Sequence, residues 1–188
     1  MNQMAQGSGR LLRREDCRLI LIDLQERLTP VMFEPAALLA NAARLARFAG
    51  IVGLPVLVTE QEKLGPTIPE VRGVLPAGAV TVGKVTFDSL AEPAFGRALA
   101  AGGGQTLVLA GVEAHICVAQ TALAALAQGY AVHVAADAVA SRVDANRQVA
   151  LARLAAAGAV ITSTEMFIYE ILQRAGTPEF KEVLPLVK

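Results

Sequence analysis

Six short runs of the chain are apolar at consecutive positions: residues 18–24 (RLILIDL), 54–60 (LPVLVTE), 79–83 (AVTVG), 105–111 (QTLVLAG), 130–137 (YAVHVAAD) and 158–162 (GAVIT). A strand with one wet face alternates apolar and polar residues, whereas a strand covered on both faces does not. Each run is therefore expected as a strand of a buried parallel sheet. Between the runs the period changes. In residues 35–50, Leu38, Leu39, Ala42, Leu45 and Ala46 recur at helical spacing, and Gly50 is placed to close the helix. Residues 92–101 and 114–128 read the same way and are followed by Gly102 and Gly129. Residues 144–157 open on Asp144 and stop before Gly158, and two short helices are expected over 164–174 and 178–187.

Strand and helix in strict alternation predict the α/β class. The expected architecture is a three-layer α/β/α, Rossmann-like arrangement around a six-stranded, mostly parallel sheet with right-handed crossovers. The long irregular stretch, 61–77, is rich in Pro and Gly, and such segments inside a compact domain often carry function. The Gly-, Ser- and Gln-bearing start suggests a mobile segment over residues 1–14, with a single domain over 15–188.

Composition narrows the function class. The 188 residues include 17 basic and 17 acidic side chains, for a formal net charge of +0, so no basic footprint points to nucleic acid. With 54% hydrophobic and 18% charged residues, disorder is excluded. No apolar run reaches the roughly 18–20 residues that span a bilayer, and the first residues contain no apolar segment of a secretory signal. The expectation is a cytoplasmic protein acting on a small molecule, away from membranes. Ala122, Ala125 and Ala155, Ala156 and Ala157 form small-residue helix faces that could pack against another subunit.

In open parallel sheets, ligands bind beyond the carboxyl ends of the strands. Asp23 ends the first run, Glu60 and Gln61 end the second, Lys84 follows the third, and Cys117 opens the helix after the fourth. Each has an ordinary reading when taken alone: a surface acid, a polar strand end, a solvated lysine, an inert buried thiol. At a helix N-terminus, however, free N–H groups and the dipole lower a thiol pKa and can hold an oxyanion. A lysine beside a carboxylate and a thiol favours the ionised form of both. Cys17 starts the first strand, roughly 20 Å from that edge, so it reads as core packing rather than as a disulfide partner. His115 is too close in sequence to serve as the base for Cys117 and is assigned to the pocket lining. His133 reads as a satisfied sheet histidine. No metal-ligand spacing occurs, and the glycine fingerprints of nucleotide sites are missing, so neither metal nor cofactor is expected.

Together these segments resemble a known family. LILIDLQERL, GKVTFDSL and GVEAHICVAQTAL are similar to the isochorismatase-like cysteine hydrolase superfamily. TEQEKLGPTIPEV, DAVASRVDANRQVALARLAAAGAVITSTE and PEFKEVLPLVK resemble one branch of it, the isochorismatase domain-containing proteins and the YcaC-related bacterial hydrolases. The likeness runs from about Leu19 to the C-terminus.

It implies a catalytic triad of Asp23, Lys84 and Cys117, a cis peptide at Val112–Glu113, and an oxyanion hole made by the backbone amides of Glu113 and Cys117. It also implies a homo-oligomer. Leu28, Phe33, Gln61, Phe87, His115 and Ile116 lie at the same edge and are candidate pocket residues. The implied reaction is hydrolysis of a small carbonyl compound, at a C–N bond, through a thioester. In this scheme Asp23 takes the thiol proton, so Asp23→Asn is expected to raise the apparent thiol pKa. Nicotinamidases of the superfamily place histidines in the segment after the second strand, where this chain has QEKLGPTIPE and no histidine. The alternatives are isochorismate-type vinyl ether hydrolysis and a catalytically silent binding or scaffold protein on the same fold.

Overall fold

A computed structural model describes residues 10–188. The mobile segment expected over residues 1–14 lies outside the described residues as far as residue 9. Of the remainder, Leu12 is buried and a 3-10 turn, Arg14–Asp16, leads into the first strand.

The strands are β1 Cys17–Ile22, β2 Val56–Gln61, β3 Val80–Lys84, β4 Thr106–Val112, β5 Ala131–Ala140 and β6 Val160–Thr162. All pair in parallel, in the order β3-β2-β1-β4-β5-β6. The helices are α1 Pro35–Val52, α2 Pro69–Arg72, α3 Pro93–Ala101, α4 Ala119–Ala127, α5 Asp144–Ala156, α6 Thr164–Leu172 and α7 Pro178–Val183. Among the described residues no helix is long and apolar enough to cross a membrane.

The consecutive apolar residues of β1 divide between two cores. Leu19 and Leu21 join Phe48 of α1 and Phe167 and Ile168 of α6, and the two phenylalanine rings meet edge-to-face at 5.7 Å. Ile20 and Ile22 join Phe95 and Leu99 of α3, Ala122 and Ala125 of α4, and Leu154 of α5. This is why the run does not alternate: successive side chains enter opposite layers, and each buried Leu or Ile contributes about 1.5–3 kcal/mol. Ala122 and Ala125 are therefore used within the chain, where small side chains let α4 lie close to the sheet. Cys17 and Cys117 are both free thiols and belong to opposite cores.

Several boundaries differ from the sequence reading for local reasons. Gly50 lies inside α1, and Gly53 closes it with φ +71°, a left-handed value that glycine adopts without strain. The segment expected as one helix over 114–128 begins as a π-helical turn, Ala114–Val118, before α4. β5 runs past Asp137 because an irregularity lets Val139 and Ala140 pair again with Gly111 and Val112. His133 is buried, but among the described residues its Nδ1 has no hydrogen-bond partner, and burial pushes its pKa down, which favours the neutral ring.

From β1 the order proceeds through β2 and β3 to one side and through β4, β5 and β6 to the other. The carboxyl ends of β1 and β4 therefore flank the crevice where the strand order reverses. Gly111 makes their approach feasible. Its φ is +123°, and a Cβ there would fall 2.0 Å from the Ile22 carbonyl oxygen.

Candidate active site

The chain turns sharply as it leaves β1. Asp23 adopts φ +52°, a left-handed conformation that aspartate tolerates better than most residues, and it is fully buried. Its amide donates to the Thr59 carbonyl (3.1 Å), which ties the end of β1 to β2. One carboxylate oxygen, Oδ1, accepts from Thr59 Oγ1 at 2.7 Å. The other, Oδ2, accepts from Lys84 Nζ at 2.7 Å, and both side chains of this ion pair are 0% exposed. Lys84 Nζ also donates to Gln61 Oε1 (2.8 Å) and to the Thr86 carbonyl (3.2 Å).

Cys117 enters this group from the π-helical turn after β4. Burial pushes its thiol up to about 12; the Asp23 carboxylate adds to the rise and the Lys84 ammonium opposes it. Three side chains from β1, β3 and the β4–α4 turn thus act on one another at a single edge. The electrostatics differ from the sequence reading in two respects. Burial disfavours the thiolate, where the sequence reading relied on a helix N-terminus to favour it. The carboxylate disfavours the thiolate, so Asp23→Asn is expected to lower the thiol pKa, not raise it, by about 1–3 pH units. Alkylation of Cys117 followed against pH measures this, and an upward or absent shift would contradict it.

The neighbouring carboxylate, Glu113, is also buried and is held by Arg142: the Arg142 amide donates to Oε2 at 3.0 Å and Nε to Oε1 at 3.1 Å. His115 Nδ1 lies 2.9 Å from Ser141 Oγ. The turn that carries Cys117 is therefore fastened at two points to the residues that follow β5. The Val112–Glu113 peptide bond is cis.

The candidate pocket residues fall into distinct settings. Gln61 bonds Lys84 directly. Phe33 is 47% and Phe87 52% exposed, and the Phe33 amide donates to the Ser141 carbonyl (3.0 Å), beside His115. His115 and Ile116 are half-buried, and Leu28 packs on the α1 side of the sheet. Val31, Val85 and Val143, in the loops after β1, β3 and β5, are also exposed. A polar open cleft of about 480 Å³ lies alongside, lined by Arg27, Glu60, Gln61, Glu62, Lys63, Gly65 and Gly83. Of its lining residues, Gln61 bonds the Lys84 ammonium. Among the described residues no group of His, Cys, Asp and Glu has the arrangement of a metal site.

Sequence reasoning passed over Thr59 and Gln25. Thr59 is one position inside the polar strand end at Glu60 and Gln61, and only the pairing of β1 with β2 aims its hydroxyl at Asp23. Glu60 points elsewhere and accepts from Thr67 N and Oγ1, both at 2.7 Å, which pins the irregular 61–77 stretch. Gln25 is completely buried and bonds Gln61 on both sides of its backbone. An uncharged amide two residues after an aspartate gives no sequence signal of that role.

Comparison with known proteins agrees with this architecture. Residues 17–166 match the Isochorismatase domain family. Isochorismatase domain-containing protein 2 of Danio rerio is 36% identical over 185 residues, covering 96% of this chain and 91% of its own. The structure described as the MAR1 ribonuclease of Caenorhabditis elegans superposes with a TM-score of 0.89 at 32% identity, over 94% of this chain and 92% of that one. YcaC from Pseudomonas aeruginosa, solved with hexane-2,5-diol and covalent acrylamide, superposes with a TM-score of 0.88 at 26% identity, over 95% and 92%. With a domain match across most of its length and a relative this similar end to end, the chain belongs to the isochorismatase family.

Proposed function

We propose that the protein is a cysteine-dependent hydrolase that cleaves the C–N bond of a small amide-type substrate through a thioester on Cys117. The observation that carries this reading is the fully buried Asp23–Lys84 ion pair acting on the Cys117 thiol at the crevice where the strand order reverses. A buried ion pair is a poor device for stability alone, and beside a nucleophile it serves proton transfer.

The steps follow from the groups present. Asp23 accepts the thiol proton as sulfur attacks the carbonyl carbon, and the C=O electron pair moves onto oxygen. The backbone amides of Glu113 and Cys117 receive that oxyanion. When the tetrahedral centre collapses, the C–N bond breaks and the proton held by Asp23 passes to the leaving nitrogen. Asp23, again a carboxylate, then draws a proton from water, whose oxygen attacks the thioester. The acid leaves, and the proton returns to sulfur. Lys84 keeps its charge throughout and offsets the negative charge as it moves among sulfur, oxygen and carboxylate.

The exposed apolar side chains of the loops after β1, β3 and β5 suit a substrate with little charge. They also suit coverage by another copy of the chain, in line with a homo-oligomer.

The covalent acrylamide on the Pseudomonas YcaC gives the reading a direct test. The protein is offered a panel of small amides, carbamoyl compounds and nicotinamide, and intact-mass analysis with peptide mapping follows any acyl adduct. The expected result is ammonia or amine release with a transient acyl mass on the 114–118 turn. A short RNA belongs in the panel because of the name carried by the Caenorhabditis relative. RNA cleavage that survives Cys117→Ser, with no amide turned over, would replace this reading. No turnover and no adduct across the panel would leave a binding protein on the same fold.

A further inference from the structure

The hydrogen bonds of Lys84 lead beyond the triad. A protonated lysine has three N–H donors and accepts nothing. In Lys84 all three are committed, to Asp23 Oδ2, Gln61 Oε1 and the Thr86 carbonyl. None is free for sulfur, although the Lys84 ammonium is near enough for its charge to act on the Cys117 thiol. A thiolate formed there can gain a hydrogen bond from the ammonium only if one acceptor withdraws.

The three acceptors are not equally free to move. Asp23 is fully buried and also bonded to Thr59. The Thr86 carbonyl is backbone. Gln61 is a half-buried side chain bordering the open cleft. Its amide orientation is set by chemistry: Nε2 donates to the Val85 carbonyl at 2.8 Å, and the flipped amide would oppose N–H to ammonium and oxygen to oxygen. Its backbone cannot drift, because Gln25 Oε1 accepts from Gln61 N (2.8 Å) and Gln25 Nε2 donates to Gln61 O (2.9 Å). The side chain torsions are what remain free. The other charged or titratable groups at this edge are engaged elsewhere: Glu113 with Arg142, His115 with Ser141, Glu60 with Thr67, and Arg27 with the Lys63 carbonyl. Of the cleft charges, Glu62 meets Lys84 through the backbone, its amide donating to the Lys84 carbonyl at 2.9 Å.

We propose that Gln61 is a positioning residue that holds one Lys84 N–H away from Cys117 in the resting protein, and that its rotation into the cleft hands that N–H to the thiolate. The exchange is balanced. The sulfur proton goes to Asp23, Lys84 keeps all its protons, and one N–H···O bond becomes one N–H···S bond. The inference rests on the triad reading and assigns Gln61 control over how reactive the sulfur is.

The test is the rate at which N-ethylmaleimide, a neutral reagent without an N–H donor, modifies Cys117 as pH is varied, read by peptide mass analysis. Gln61→Met keeps the length of the side chain and removes the acceptor. It is expected to move the profile down by about one pH unit, with modification about tenfold faster on the rising limb. Gln61→Glu adds a charge that grips Lys84 harder, and it is expected to move the profile up. A merely structural contact would not shift the two variants in opposite directions. Unchanged protection of Cys17 reports an intact fold in each variant, and Gln61→Ala repeats the measurement if Met perturbs it. A Gln61→Met profile equal to wild type, or displaced upward, overturns the proposal. If Cys117 is no more reactive than Cys17 in the wild-type protein, the triad reading itself fails.

Discussion

Cys117→Ser will lower amide hydrolysis by at least about 10³-fold while the protein stays folded. The scale comes from nucleophile removal in hydrolases whose groups act as a unit. A serine hydroxyl is a far weaker acid than a thiol, so a carboxylate base activates it far less readily. The change is nearly isosteric, so the α4 side of the core should lose little. Steady-state kinetics on whichever amide the panel identifies, beside a thermal melt, measures both. Cys17→Ser is the control, because that thiol lies in the opposite core at the start of β1 and should retain full turnover. Turnover by Cys117→Ser within tenfold of wild type would remove the nucleophile from the mechanism.

The second large effect concerns stability. Lys84→Met leaves the Asp23 carboxylate fully buried with only the Thr59 hydroxyl for company. Breaking one side of a buried pair costs about 3–5 kcal/mol, because the remaining charge keeps its desolvation cost and loses its attraction. The double variant Lys84→Met with Asp23→Asn removes both charges and should recover most of that loss, since a buried pair replaced by neutral groups is often close to neutral overall. Urea unfolding of the two single variants and the double variant closes the cycle. If Lys84→Met falls within about 1 kcal/mol of wild type, the pair is not as desolvated as its geometry indicates. Such a combination, costly to break and unneeded for stability, is how a functional ion pair differs from a structural one.

These effects meet at residues that were legible in the chain to different degrees. Asp23, Lys84 and Cys117 were visible as candidates because they follow apolar runs, but each also had an ordinary reading, and the family resemblance is what implied the triad. Gln25, Thr59, Ser141 and Arg142 did not stand out in the same way. Their roles depend on which strand lies beside which, and that information is spread over the whole sheet.

Local pattern sufficed for the six strands, because burial on both faces demands consecutive apolar residues wherever the chain crosses the sheet. It likewise sufficed for the α/β class and for most helices, but not for α2, which lies inside the stretch expected as irregular, nor for the π-helical turn that precedes α4. Charge and proton placement came only with the tertiary structure. Whether Cys117 rests as thiol or thiolate is a contest between burial, the Asp23 charge and the Lys84 charge, and each depends on distances across strands far apart in sequence. The pairing of Lys84 with Gln61, and hence the state of its third N–H, depends on the register of β2 against β3, where Gln61 lies opposite Lys84. Hydrophobic periodicity is a property of neighbours along the chain and can be read there. Hydrogen-bond saturation and desolvation are properties of neighbours in space, and only the folded chain decides them.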